Sequence, residues 1–171
     1  MNRKDAWFIV WQTVFVFIIT VVDQFTKFII HRYIDLGRSI HVTSFFRITN
    51  IENTGIAFGF FRGINLVLIF VMITIISALI ILTKRIVTYA GSLSRVSIIL
   101  ILGGAFGNLV DRIFYGRITD FLDFGIGKYR FPAFNFADSC VTIGGILLAV
   151  IFLTKKNVET ATDLQDNGKD T

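Results

Sequence analysis

Polar side chains able to do chemistry are scarce in the apolar stretches of this 171-residue chain, and they collect in a few places. Asp23 and Lys27 close one apolar run, and Asn108, Asp111 and Arg112 close another. Asp120 and Asp123 follow shortly after, and Asn135 and Asp138 open the last run. An ionisable group at membrane depth costs roughly 2.5–3.5 kcal/mol on insertion scales, so these positions carry information. Asp120 and Asp138 are too far apart for one helix and meet only if the aromatic connection between them folds back on itself. If they meet, the two carboxyls cannot both ionise easily and share one proton. The ionised member can then take a proton from an attacking water while the protonated member donates to a peptide carbonyl oxygen. That is aspartyl-peptidase chemistry, with no metal, no cofactor and no covalent intermediate. Spacing alone leaves a purely structural role open for both residues.

Other chemistries are poorly supplied. One cysteine and two histidines cannot build a His/Cys zinc cluster, and no intrachain disulfide is possible. Cys140 reads as a packing residue, His31 and His41 as surface residues, and Ser139 lacks a histidine base. Asn108, Asp111, Arg112 and Tyr115 recur at helical spacing and share one face. Gly103 and Gly107, four apart, allow a second helix to approach closely. Asp138 follows Asn135 by three, in the first turn of its helix, where the helix dipole favours a carboxylate. Plainer readings stand beside these. Asp111 can pair structurally with Arg112, Asp23 can simply pair with Lys27, Asn53 and Gly55 can form only a turn, and Asp123 reads as a solvated loop acid.

The elements that must position these groups follow from composition. Hydrophobic residues make up 54% of the chain, with 19 Phe and one Pro, and the mean hydropathy is +0.70. A membrane helix needs roughly 20 mostly apolar residues, and four segments supply them, at about 6–30, 64–83, 96–115 and 137–154. No small-x-small cleavage pattern follows the first, which is read as a retained helix. The expected fold is an all-α polytopic membrane protein in a single embedded domain, 1–156, with a polar tail, 157–171, expected to be disordered. Residues Ser39 to Asn50 mix β-branched, aromatic and polar types and predict a small β-rich element between helices 1 and 2. The connection Phe121 to Phe136 is aromatic-rich and is expected at the membrane interface. The net charge of +5 forms no dense patch, which argues against nucleic acid. Basic residues are densest in the short segments at Arg3–Lys4, Lys84–Arg85–Arg95 and Lys155–Lys156. That density predicts cytoplasmic N and C termini and puts the polar cluster near the outer face.

Four blocks in order make a resemblance specific: Val22-Asp23-Gln24-Phe25-Thr26-Lys27, Asn53-Thr54-Gly55-Ile56-Ala57-Phe58, Gly103 through Arg112 continuing to Ile118-Thr119-Asp120-Phe121, and Phe134-Asn135-Phe136-Ala137-Asp138. With the four-span layout, the chain resembles the lipoprotein signal peptidases (signal peptidase II), aspartyl peptidases of bacterial membranes. The resemblance implies that Asp120 and Asp138 are the catalytic dyad. It implies that Asn108, Arg112 and Asn135 line the site, and that Asp23, Lys27 and Asn53 brace it, with Gly55 and Asp111 also in support. It further implies a prolipoprotein substrate with a diacylglyceryl-modified cysteine, cut just before that cysteine in the bacterial cytoplasmic membrane. Nothing in the sequence calls for more than a monomer in contact with membrane lipids. Two rivals remain: a small transporter or proton pathway using intramembrane carboxylates, and a non-catalytic membrane subunit. The first predicts polar residues along the whole length of facing helices, whereas here they cluster at one end.

Overall fold

The computed structural model describes the backbone over residues 3–55 and 64–167 and side chains over 7–55 and 64–156. Ile56, Ala57 and Phe58 of the second sequence block, and the last four residues of the tail, lie outside the described residues. The elements in chain order are α1 (Arg3–Tyr33), β1 (Ser39–His41), β2 (Phe46–Asn53), α2 (Asn65–Ala90), α3 (Leu93–Tyr115), β3 (Ile118–Ile126), β4 (Tyr129–Arg130) and α4 (Phe136–Asn167).

All four helices contain a span long and apolar enough to cross a membrane: Trp7–Tyr33, Asn65–Ala90, Leu93–Tyr115 and Phe136–Lys156. Their large apolar side chains point outward, Phe17 at 66% and Phe28 at 64% exposure, as expected where lipid rather than water is the solvent. The helices outrun the lengths read from hydropathy. α2 continues past Thr83 because nothing in Lys84–Ala90 breaks a helix, and it stops at Gly91, whose φ is 82°. α4 runs beyond the expected end at 154, through residues 155–167, into the stretch read as a disordered tail. Glu159, Ala161, Leu164 and Gln165 in that stretch are good helix formers.

α3 is the central helix and packs against α1, α2 and α4. The Gly103/Gly107 pair does admit a neighbour, and that neighbour is α1. A Cβ on Gly103 would lie 2.6 Å from Ile19, and one on Gly107 would lie 2.6 Å from the Asp23 carboxyl. On the opposite contact, Gly144 of α4 passes so close to α3 that its Cβ would meet the Ser97 carbonyl at 2.7 Å. Gly107→Ala is therefore expected to force α1 off α3 and to destabilise the folded protein by roughly 1–3 kcal/mol. Thermal unfolding in detergent measures this, and an unchanged midpoint would contradict the close approach.

The strands form one antiparallel sheet at the end of the bundle where α3 stops, in the order β1-β2-β3-β4. Only its first two strands come from the segment between α1 and α2. The aromatic connection read as an interfacial segment supplies the other two. At the start of β3, just before that connection, Ile118, Thr119, Asp120 and Phe121 are all buried, so the strand shows no alternation of apolar and polar types to read. A bulge between Ile48 and Ile51 interrupts the β2–β3 register. It frees Asn50, whose Nδ2 donates to the Ile34 carbonyl at 2.7 Å just past the end of α1, and so ties the sheet to that helix. Beyond β4 the chain folds back, and Phe134 pairs with Leu122. That return is what brings the start of α4 beside Asp120.

Candidate active site

Asn135 is the joint of the site. It is fully buried and precedes α4. Its Nδ2 donates to Asp120 Oδ1 at 2.9 Å and to Asn108 Oδ1 at 3.2 Å. Its Oδ1 accepts from the Asp138 backbone N–H at 2.9 Å, while its own backbone N–H donates to Asp138 Oδ2 at 3.2 Å. This reciprocal pair is a capping box at the N-terminus of α4, which accounts for the three-residue spacing seen in the sequence. One residue thus holds both carboxyls. Asp120 is also gripped by Asn53 Nδ2 at 3.0 Å, and Asp138 by Asn108 Nδ2 at 2.7 Å. Asn53 Oδ1 accepts from the Gly55 backbone N–H at 3.0 Å, so the turn reading and the site reading of these two residues coexist.

Behind the carboxyls lies a buried charge network between α1 and α3. Lys27 Nζ reaches Asp23 at 2.7 Å, Asp111 at 2.9 Å and Asn108 Oδ1 at 3.0 Å. Asp111 Oδ2 also accepts from the Thr119 backbone N–H at 3.2 Å, next to Asp120. Asp23 Oδ1 accepts from the Ala137 N–H at 2.9 Å, next to Asp138. The Asp111–Arg112 pair considered from sequence does not form. Adjacent helical residues point apart, and Asp111 turns to Lys27 instead. Arg112 donates to the Gly55 carbonyl and, at 3.4 Å, to Asn65 Oδ1, while its Nε has no partner.

Asp120 lies on β3, outside the spans. Burial first, and then the neighbouring Asp138 carboxyl, push its pKa from 3.8 up to about 7, against the opposing pull of the Asn53 and Asn135 amides. A carboxyl that changes protonation near neutral pH is the type a general acid requires.

A cavity of about 800 Å³ opens onto these groups. Its polar wall includes Glu52, Asn53, Thr54, Asn108, Arg112, Asp120 and Asp138. Its apolar wall comes from Leu68, Val71 and Met72 of α2 and from Phe131 to Phe134 before α4.

One further reading from sequence changes, and three residues gain contacts that the sequence did not announce. Asp123 is no solvated loop acid. It is 2% exposed, with Arg47 opposite it across the β2–β3 register and Arg130 Nε at 2.6 Å from the β4 hairpin. Its partners are set by strand register, which the sequence does not display. His31 is exposed, as read from the sequence, and its Nε2 also lies 2.8 Å from Thr119 Oγ1. Gln24 and Asn65 were not singled out. Gln24 Nε2 donates to Asp111 at 2.8 Å and to the Gly107 carbonyl at 3.1 Å. Asn65 donates to the Arg112 carbonyl at 3.0 Å. Gln24 had a usable signal, since it stands between Asp23 and Lys27 at the polar end of α1.

Two solved bacterial membrane enzyme structures share this fold. Their TM-scores are 0.78 and 0.74, each is 34% identical, and the alignments cover 86% and 85% of this chain and 90% and 94% of theirs. The lipoprotein signal peptidase of Syntrophus aciditrophicus (strain SB) is 43% identical over 144 residues, covering 81% of this chain and 89% of that protein. That of Francisella tularensis subsp. novicida (strain U112) is 38% identical over 146 residues, with the same coverage. Fold and site together therefore define a multi-pass membrane peptidase. Residues 15–154 match the profile described as Signal peptidase (SPase) II, and the chain belongs to the signal peptidase II family.

Proposed function

We propose that this protein is an aspartyl endopeptidase of the bacterial cytoplasmic membrane. It removes the signal peptide from diacylglyceryl-modified prolipoproteins by cutting before the lipidated cysteine. The observation that carries this reading is the suspension of Asp120 and Asp138 from the single residue Asn135, at the wall of a cavity that is polar on one side and apolar on the other. The names of the relatives support the substrate class. The basic residues at the opposite end of the bundle support cytoplasmic termini and a site at the outer face.

In this reading Asp138 is the base. Its oxygens accept from the Asn108 side-chain amide and from the Asn135 backbone N–H, which fix the carboxyl in place beside Asp120. Asp120 carries the shared proton. Water held between the carboxyls gives a proton to Asp138 as its oxygen bonds to the scissile carbonyl carbon, and Asp120 protonates the carbonyl oxygen. Collapse of the tetrahedral intermediate breaks the C–N bond. The amine leaves with the proton from Asp138, and the hydroxyl proton returns to Asp120. Arg112 lines the same cavity and brings its guanidinium charge to the side where the substrate backbone would lie.

The pH profile of cleavage tests this assignment. Raising the pH through about 7 removes the proton Asp120 must donate, so kcat/KM for a lipid-modified precursor should fall on the alkaline side there. The Asn53 amide favours the ionised form of Asp120. Asn53→Ala should therefore move the alkaline limb to higher pH. A limb unmoved by that substitution, or a profile flat from acid to alkali, would argue against Asp120 as the acid.

A further inference from the structure

The end of the bundle away from the carboxyls carries two adjoining clefts between α2 and α4. One, of about 620 Å³, is lined by Lys84, Arg85, Tyr89 and Lys155 among others. The second, of about 400 Å³, is lined by Leu82, Arg85, Ile86, Tyr89 and Phe152. Arg85 and Tyr89 border both, so the two clefts meet along these side chains. Among the described residues, no carboxylate lines either one. Among the described residues, Lys84 and Arg85 enter no ion pair. Lys155 is held in place, its Nζ donating to the Tyr89 carbonyl and lying 4.1 Å from the centre of the Tyr89 ring, and Phe152 leans on that ring with the two centres 5.4 Å apart.

Depth along the helices orders the chemistry. Tyr89 stands at the last turn of α2, and Lys155 follows the apolar run of α4. Leu82 and Phe152 therefore lie about one to two turns deeper than Tyr89 and Lys155, at 1.5 Å rise per residue. The cleft is apolar toward the bilayer core and cationic at its rim, the arrangement of an anionic phospholipid with its chain inward and its phosphate at the interface.

We propose that this cleft binds one anionic phospholipid, the phosphate on Lys84, Arg85 and Lys155 and an acyl chain against Leu82 and Phe152. The site is separate from the peptidase reading and stands or falls without it.

Native mass spectrometry of the full chain in neutral detergent tests it, with dioleoyl phosphatidylglycerol, dioleoyl phosphatidylcholine and glycerol 3-phosphate as probes. Phosphatidylglycerol should be retained in preference to phosphatidylcholine. Lys84→Gln and Arg85→Gln should each weaken its retention about fivefold. The triple variant that adds Lys155→Gln should lose the preference, and Lys128→Gln at the other end of the molecule should leave it intact. Glycerol 3-phosphate should bind at least about tenfold more weakly, because it has no chain for the apolar cleft. On the unmodified protein, added salt should erode the preference, a measurement that does not depend on the variants folding. Equal retention of both lipids, a preference surviving in the triple variant or insensitive to salt, or glycerol 3-phosphate matching the lipid would each overturn the proposal.

Discussion

Asp120→Asn and Asp138→Asn should each lower the cleavage rate of a lipid-modified precursor by about a thousandfold or more, because each removes one half of the proton exchange. The two variants should nonetheless insert and fold, and Asp120→Asn should hold its thermal midpoint at pH 8. The folded pKa of Asp120 is raised from 3.8 to about 7, so the native state binds this proton more tightly than the unfolded chain does. The contribution of this carboxyl to stability is thus best in acid and worsens as the pH climbs from about 4 to about 7. Above pH 7 the cost is on the order of 4 kcal/mol. Asparagine removes that cost but turns one amide N–H toward the Asn53 or Asn135 donor, a mismatch of about 1–3 kcal/mol. The first magnitude exceeds the second, so loss of activity without loss of stability is the expected pattern. Near-normal cleavage by both variants would dismiss the dyad. Near-normal cleavage by one alone would remove that residue from the chemistry. Loss of activity together with unfolding would point to a structural role for the pair.

Much of this arrangement was legible because it depends on local spacing. The four spans follow from apolar length. Gly103 and Gly107 announce a close helix contact, and the three-residue step from Asn135 to Asp138 is the step of a capping box. What stayed hidden depends on register between distant segments. Arg47 meets Asp123 only because a bulge in β2 shifts the ladder by one residue, and Arg130 joins them only because a two-residue strand turns back. β3 is buried on both faces, so its sequence carries no period of two and reads as an aromatic interfacial segment. The choice of Lys27 over Arg112 as partner to Asp111 turns on how α1 rotates against α3. That rotation is set by the glycine contacts, and no stretch of residues displays it.

Lys27 tests whether the charges behind the site are bracing or machinery. It is 3% exposed and touches two carboxylates and Asn108. Lys27→Met should cost about 3–5 kcal/mol, because Asp23 and Asp111 are left buried without their cation. Cleavage should fall with it, since stability alone is enough to explain that loss. The informative variant replaces all three charges, Lys27→Met with Asp23→Leu and Asp111→Leu. Exchanging a whole buried ionic cluster for apolar side chains is often neutral or stabilising, so the thermal midpoint should rise well above that of Lys27→Met, short of the wild type by the cost of the backbone N–H groups left without acceptors. Cleavage should not return. Asn108 would lose the ammonium that fixes which end of its amide faces Asp138, and the Thr119 and Ala137 N–H groups beside Asp120 and Asp138 would lose their acceptors. Recovery of stability without recovery of kcat would assign the network to orientation of the dyad. Recovery of both would make it a packing device that any well-filled core could replace.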